Sequence, residues 1–128
     1  MSMRIENPPA PKTPDQTKPR VLFVKKEFFP SIRKGLQTIE IRPVYAGFRL
    51  PHIGEILTFK TSPTSRAVKV RVVGVRQHLT LAAVLEKEKL DKIFPGIEAS
   101  QAALTAQSIF NDENIKKNGL IAIEFEKI

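Results

Sequence analysis

The chain has 128 residues, a net charge of +8 and no cysteine. That length buries one core without covalent staples, and the missing thiols exclude disulfide and thiolate chemistry and favour a cytoplasmic home. No apolar run is long enough for a secretory signal or a bilayer-spanning helix, so neither secretion nor a membrane partner is expected. His52 and His78 are too few and too far apart to nominate a metal site, and the chain has no phosphate-cradling glycine loop or nucleophilic triad, so no metal and no cofactor is expected.

The charge is uneven. Residues 21–60 and residues 61–80 each carry a net +4, whereas residues 81–128 carry −2. A basic half on a near-neutral remainder suits a polyanionic partner, because neutralised phosphates release counterions. Solubility alone is the plainer explanation of the same charge.

Residues 1–20 hold five prolines and almost no large apolar side chain, so they are expected to form a flexible leader that cannot offset its ordering entropy. The domain is then expected over residues 21–128. Val21 to Val24 reads as a first strand of beta-branched and aromatic residues. Pro30 suits the first turn of a short helix ending near Lys34, and Gly35 suits its left-handed C-terminal position. A strand over residues 37–42 would carry Thr38, Glu40 and Arg42 on one face and Ile39 and Ile41 on the other, because side chains alternate. The loop from Pro43 to Pro51 contains Tyr45 and Phe48, and a strand from Glu55 to Lys60 follows.

Ala67 to Gln77 is the clearest strand. Val68, Val70 and Val72 alternate with Lys69 and Arg71, and the phase then slips to Val73 and Val75, which predicts a bulge at Gly74. Thr80 is placed to cap a helix from Leu81 to about Glu88, and Ser100 to cap another running to about Phe110. Asn118-Gly119 is a turn, and Leu120 to Glu126 alternates as a last strand. The sum is a mainly beta (α+β) domain, most simply a small barrel of five or six strands with helices at its margins.

Several of these pieces, in this order, resemble the ASCH domain family, whose fold is a barrel related to the PUA domains of RNA-modification enzymes. The family's Gly-x-Lys-Thr-x-Glu-x-Arg signature after a helix is similar to Gly35-Leu36-Gln37-Thr38-Ile39-Glu40-Ile41-Arg42. Its Gly-Asp before a strand is similar to Gly54-Glu55, its basic valine-rich strand to Val68–Val75, and its Phe-Pro-Gly to Phe94-Pro95-Gly96. The closing Gly-x-x-x-Ile-x-Phe is similar to Gly119–Phe125. Two departures stand out: Gln37 replaces the signature lysine, and Glu55 stands where aspartate is usual. One bacterial branch hydrolyses acetylated cytidine nucleosides with a lysine at the position of Gln37 and a threonine at that of Glu40. Glutamine is no general base and the hydroxyl is absent, so that activity does not transfer.

The resemblance implies a ligand site around Gly35–Arg42, and two classes of function are open. The leading expectation is a binding module for RNA or a nucleotide. Arg42 offers a fork for phosphate or a base edge, or else pairs with Glu40 to fix the strand. Glu40 could accept from an exocyclic amine, and Gln37 can both donate and accept. Thr38 reads as a beta former beside them. Lys25, Lys26, Arg33 and Lys34 could line a basic entrance, Tyr45 could stack on a base, and Lys69 and Arg71 could follow a nucleic-acid backbone or simply wet the outer surface. The alternative is a small hydrolase of a modified nucleoside or RNA with Glu40 as base and Arg42 facing developing charge. An acidic protein partner is the third option.

Overall fold

In the computed structural model, which describes residues 20–110 and 118–128, five strands form one curled sheet, a half-barrel with helices at its flank. The strands are β1 (Arg20–Phe23), β2 (Ile39–Pro43), β3 (Ile56–Lys60), β4 (Val68–His78) and β5 (Leu120–Lys127). Their order is β1-β3-β4-β5-β2, with β1 parallel to β3 and the other pairs antiparallel. The small-barrel fold expected above is thus realised as a sheet whose two edges, β1 and β2, have no ladder between them among the described residues. Apart from Arg20, which begins β1, the expected leader lies outside the described residues.

Two apolar clusters hold the sheet. The concave side packs Leu22, Leu57, Phe59, Val70, Val72, Ile121, Ile123 and Phe125 around Ile32 of helix α1 (Phe29–Arg33). Phe59 and Phe125 meet edge to face at 5.0 Å, and each such buried side chain contributes about 1.5–3 kcal/mol relative to exposure. The second cluster joins Ile39, Ile41, Leu120 and Ala122 to α2 (Leu81–Lys87), α3 (Leu90–Ile93) and α4 (Ala99–Ile109). β5 is therefore covered on both faces. The alternation read along it separates two apolar partners rather than core from water.

Most boundaries fall within a residue or two of expectation. The predicted slip in β4 is a register shift between Val72 and Gly74, and Thr80 caps α2 by accepting from the Ala83 amide at 3.1 Å. The last helix differs. It begins two residues earlier than expected, with Glu98 rather than Ser100 at its N-terminal boundary and no side-chain cap. Its buried face is Ala102 and Ala106, while Leu104 is 59% exposed, because small side chains let α4 lie close to its neighbours. The short α3 has too few residues for a periodic signal and went unread.

Candidate functional site

β2 pairs with β5 so that Glu40 lies opposite Ile123 and Arg42 opposite Ile121, both members of the concave cluster. Ile39 and Ile41 therefore take the helix side, and the acid and the guanidinium are carried onto the apolar side of the sheet edge. Glu40 and Arg42 thus share one face of β2 and Ile39 and Ile41 the other, as the alternation predicts, whereas Thr38 precedes the strand. A cavity of about 350 Å³ opens there, between the end of β1, the strand β2, and the helical flank.

Its walls are chiefly apolar. Phe23, Val24 and Lys25 bound it from the β1 side, Glu40 to Pro43 from β2, and Ile93, Phe94, Ile109 and Phe110 from α3 and the end of α4. Phe28 closes one end against Phe94, with ring centroids 5.9 Å apart. Tyr45 stands at the mouth, 60% exposed, against Phe48 at 5.0 Å, and Arg20 lies over the Phe48 ring at 5.6 Å.

Arg42 Nη1 donates to Glu40 Oε2 at 3.1 Å and to the Phe23 carbonyl at 3.0 Å, so one side chain spans from β2 to the last residue of β1. The Glu40 side chain is 12% exposed. Burial raises its pKa from 4.5 to about 7, against the opposing pull of the Arg42 charge and hydrogen bond. Gln37 is buried just before the strand, its backbone amide bonded to the Ser31 carbonyl at 3.1 Å. Its Nε2 donates to the Ile39 carbonyl at 3.0 Å, which turns Oε1 away with no partner among the described residues. Buried acceptors are normally satisfied, so this one is exceptional.

The cavity brings together five of the eleven residues singled out from the sequence: Lys25, Gln37, Glu40, Arg42 and Tyr45. Lys26, Arg33 and Lys34 are exposed without lining it. Thr38 acts as scaffold, its amide donating to the Lys92 carbonyl and its carbonyl accepting from the Phe125 amide. Lys69 and Arg71 point out from β4 on the outer face, where Arg71 meets Glu126 at 3.2 Å in an exposed pair of little energetic weight. The wall is thus more apolar than a cleft lined by lysines, with Lys25 and Arg42 its cations.

Two other carboxylates are buried with partners. Glu88, its side chain 2% exposed, accepts from Arg76 Nε and Nη2 at 2.9 and 2.8 Å and lies 2.6 Å from His78 Nε2. The fork of Arg76 holds its carboxyl below the ordinary value. Arg76 also reaches Glu124 at 2.9 Å, so its guanidinium is shared between two carboxylates. Glu55 accepts from Arg20, Arg49 and the His52 amide, which ties the 45–52 loop to β1. Among the described residues no three His, Cys, Asp or Glu side chains gather as a metal site. No described helix is long and apolar enough to cross a membrane.

Sequence reading missed the aromatic walls. Phe28 and Phe110 carry no local signal, since what joins them is the approach of helix ends to β2. Phe94 was visible only within Phe-Pro-Gly. The model of the ASCH domain matches residues 22–128, nearly the whole chain. The chain belongs to the ASCH domain family. Among solved structures it is similar to the crystal structure of the hypothetical protein PH0355, with a TM-score of 0.72 and 27% identity over 87% of this chain and 100% of that one. It is also similar to the solution NMR structure of protein PF0455 from Pyrococcus furiosus, with a TM-score of 0.64 and 26% identity over 87% and 98% of the two chains. No curated protein matches the sequence. This ASCH domain shares the fold of those neighbours, and the cavity described above lies beside β2.

Proposed function

We propose that this ASCH domain binds RNA or a nucleotide by lodging one base in the cavity beside β2. The observation that carries the reading is the Glu40–Arg42 pair set within an aromatic-walled recess of about 350 Å³. Such a recess has the composition of a small-ligand site: apolar walls for a flat ring and a few convergent polar groups to orient it. Phe28, Phe94 and Phe110 offer surface to a heterocycle, and single-stranded bases are commonly held by stacking and by hydrogen bonds on their edges. Lys25 at the rim is positioned to meet a phosphate, and Tyr45 to cover the base or stack on the next one.

The test is a titration with nucleosides, nucleotides and short single-stranded RNAs, followed by NMR chemical shifts or calorimetry. Arg42→Ala should weaken any binding about tenfold or more, the scale of one charge-assisted hydrogen bond of roughly 1.5–3 kcal/mol. Arg42→Lys should recover only part of it, since an ammonium lacks the planar fork. Binding that Arg42→Ala leaves untouched would move the site elsewhere.

The hydrolase alternative draws support from one observation, the Glu40 carboxyl raised to about 7, where a general base works well near neutral pH. In that reading Glu40 deprotonates a water and Arg42 faces the developing oxyanion. Turnover of a modified nucleoside that Glu40→Gln abolishes while leaving binding intact would select the enzyme. Binding without turnover by the parent protein selects the module.

A further inference from the structure

We propose that the cavity selects for a base carrying an exocyclic amino group: Gln37 Oε1 and the Glu40 oxygen not held by Arg42 accept its two N–H hydrogens, and uracil is rejected. The inference rests on the reading of the cavity as a base site and specifies which base it takes. Its starting point is the polarity of what the protein leaves open. Gln37 is 2% exposed and its amide nitrogen is committed to the Ile39 carbonyl, so only the acceptor end remains. On Glu40, Arg42 takes Oε2, and among the described residues Oε1 has no donor. With the Glu40 carboxyl ionised, as it is above about pH 7, both unpaired atoms are acceptors, and both residues line the same cavity.

A buried acceptor without a donor costs the full desolvation of that atom, and a ligand that brings a donor relieves it. Cytosine, adenine and guanine each carry an amino group, with two hydrogens that can point to two acceptors. Uracil carries a single ring N–H flanked by two carbonyl oxygens. Whichever oxygen of uracil faces Gln37 or Glu40 sets lone pair against lone pair, and one acceptor stays unpaired. Sites built to receive an N–H discriminate strongly against the analogue lacking it, because the protein's own polar group is then stranded. Of the donors that line the cavity, Arg42 commits Nη1 to Glu40 Oε2 and the Phe23 carbonyl, which leaves the rest of its fork for a phosphate or sugar, and Lys25 lies at the exposed β1 end. The apolar walls offer nothing to a keto oxygen.

The experiment compares the four nucleoside 5′-monophosphates, and short homo-oligomers of cytidine and of uridine, on the full chain. Sugar and phosphate are constant, so differences isolate the base. Cytidine ligands are expected to bind at least about tenfold tighter than uridine ligands, the scale of one unpaired buried acceptor. Glu40→Gln should bring the ratio close to one, because an amide can turn its N–H toward the uracil oxygen. Gln37→Met, which removes the second acceptor at similar volume, should shrink it as well. A merely structural role would lower both affinities together and leave the ratio unchanged. Equal binding of cytidine and uridine ligands, or a ratio that both variants preserve with the fold intact, overturns the selection and leaves the base-site reading standing. Absence of binding by every base and oligomer overturns both.

Discussion

A carboxyl group placed against an apolar sheet face is unstable in its charged form, and among the described residues Glu40 has one guanidinium to offset this. Its folded pKa of about 7 lies above the unfolded value of 4.5. The native state therefore holds its proton more tightly, and between those two values stability falls as pH rises. The full separation corresponds to about 3 kcal/mol, lessened by the residual exposure of the side chain. Glu40→Gln keeps the shape and an acceptor for Arg42 while removing the titration. In urea unfolding the variant should match the parent near pH 4 and exceed it by about 1–3 kcal/mol at pH 8. Equal stability of the two proteins at pH 8 would mean that the carboxylate is well solvated. Gln37 shows the same tension in uncharged form, a buried oxygen that contributes nothing to folding until something donates to it. Both residues were legible in the sequence as polar members of the signature. Their burial was not, because it depends on which face β5 offers to β2.

Elements give firmer predictions because their partners are explicit. Arg76→Met would leave Glu88 buried without its fork and should cost about 3 kcal/mol, whereas surface Arg71→Met should cost well under about 1 kcal/mol. Thermal or urea unfolding of the two variants separates them. Glycines divide in the same way. Gly35 and Gly119 both have positive φ, 79° and 76°, so alanine is strained at each by about 1 kcal/mol. A Cβ on Gly35 would meet nothing within 4 Å, but one on Gly119 would strike the His78 carbonyl oxygen. Gly119→Ala should therefore destabilise clearly more than Gly35→Ala, since it forces β4 and β5 apart where they first pair. At this scale the sequence was informative wherever an element carries its own punctuation: Pro30 and Gly35 around α1, Thr80 before α2, and the slip at Gly74. It was silent on α3, which is a single turn, and misleading on α4. There Ser100 read as the cap but lies inside the helix, and close packing buries Ala102 and Ala106 while Leu104 stays exposed.

At the level of the molecule, the excess of positive charge and the cavity turn out to be largely separate. Lys69 and Arg71 act from the outer face of the sheet, so in the proposed reading they raise the local concentration of an anion without touching it. Lys69→Ala and Arg71→Ala should each change RNA affinity less than about twofold, a scale far below the effect expected of Arg42→Ala. Salt dependence should be correspondingly shallow. A tenfold rise in salt weakens binding to a single strand about 5-fold if one phosphate is contacted and about 25-fold if two are. A steeper slope in filter binding or calorimetry would mean that the strand runs over the lysines after all. The unpaired seam between the sheet edges has a mechanical consequence as well. On its β2 side β1 is fastened, among the described residues, by the Arg42 guanidinium at the Phe23 carbonyl, while its other side carries a four-residue ladder. An occupant touching both edges would act as a rivet, so amide hydrogens of β1 should exchange more slowly once the recess is filled.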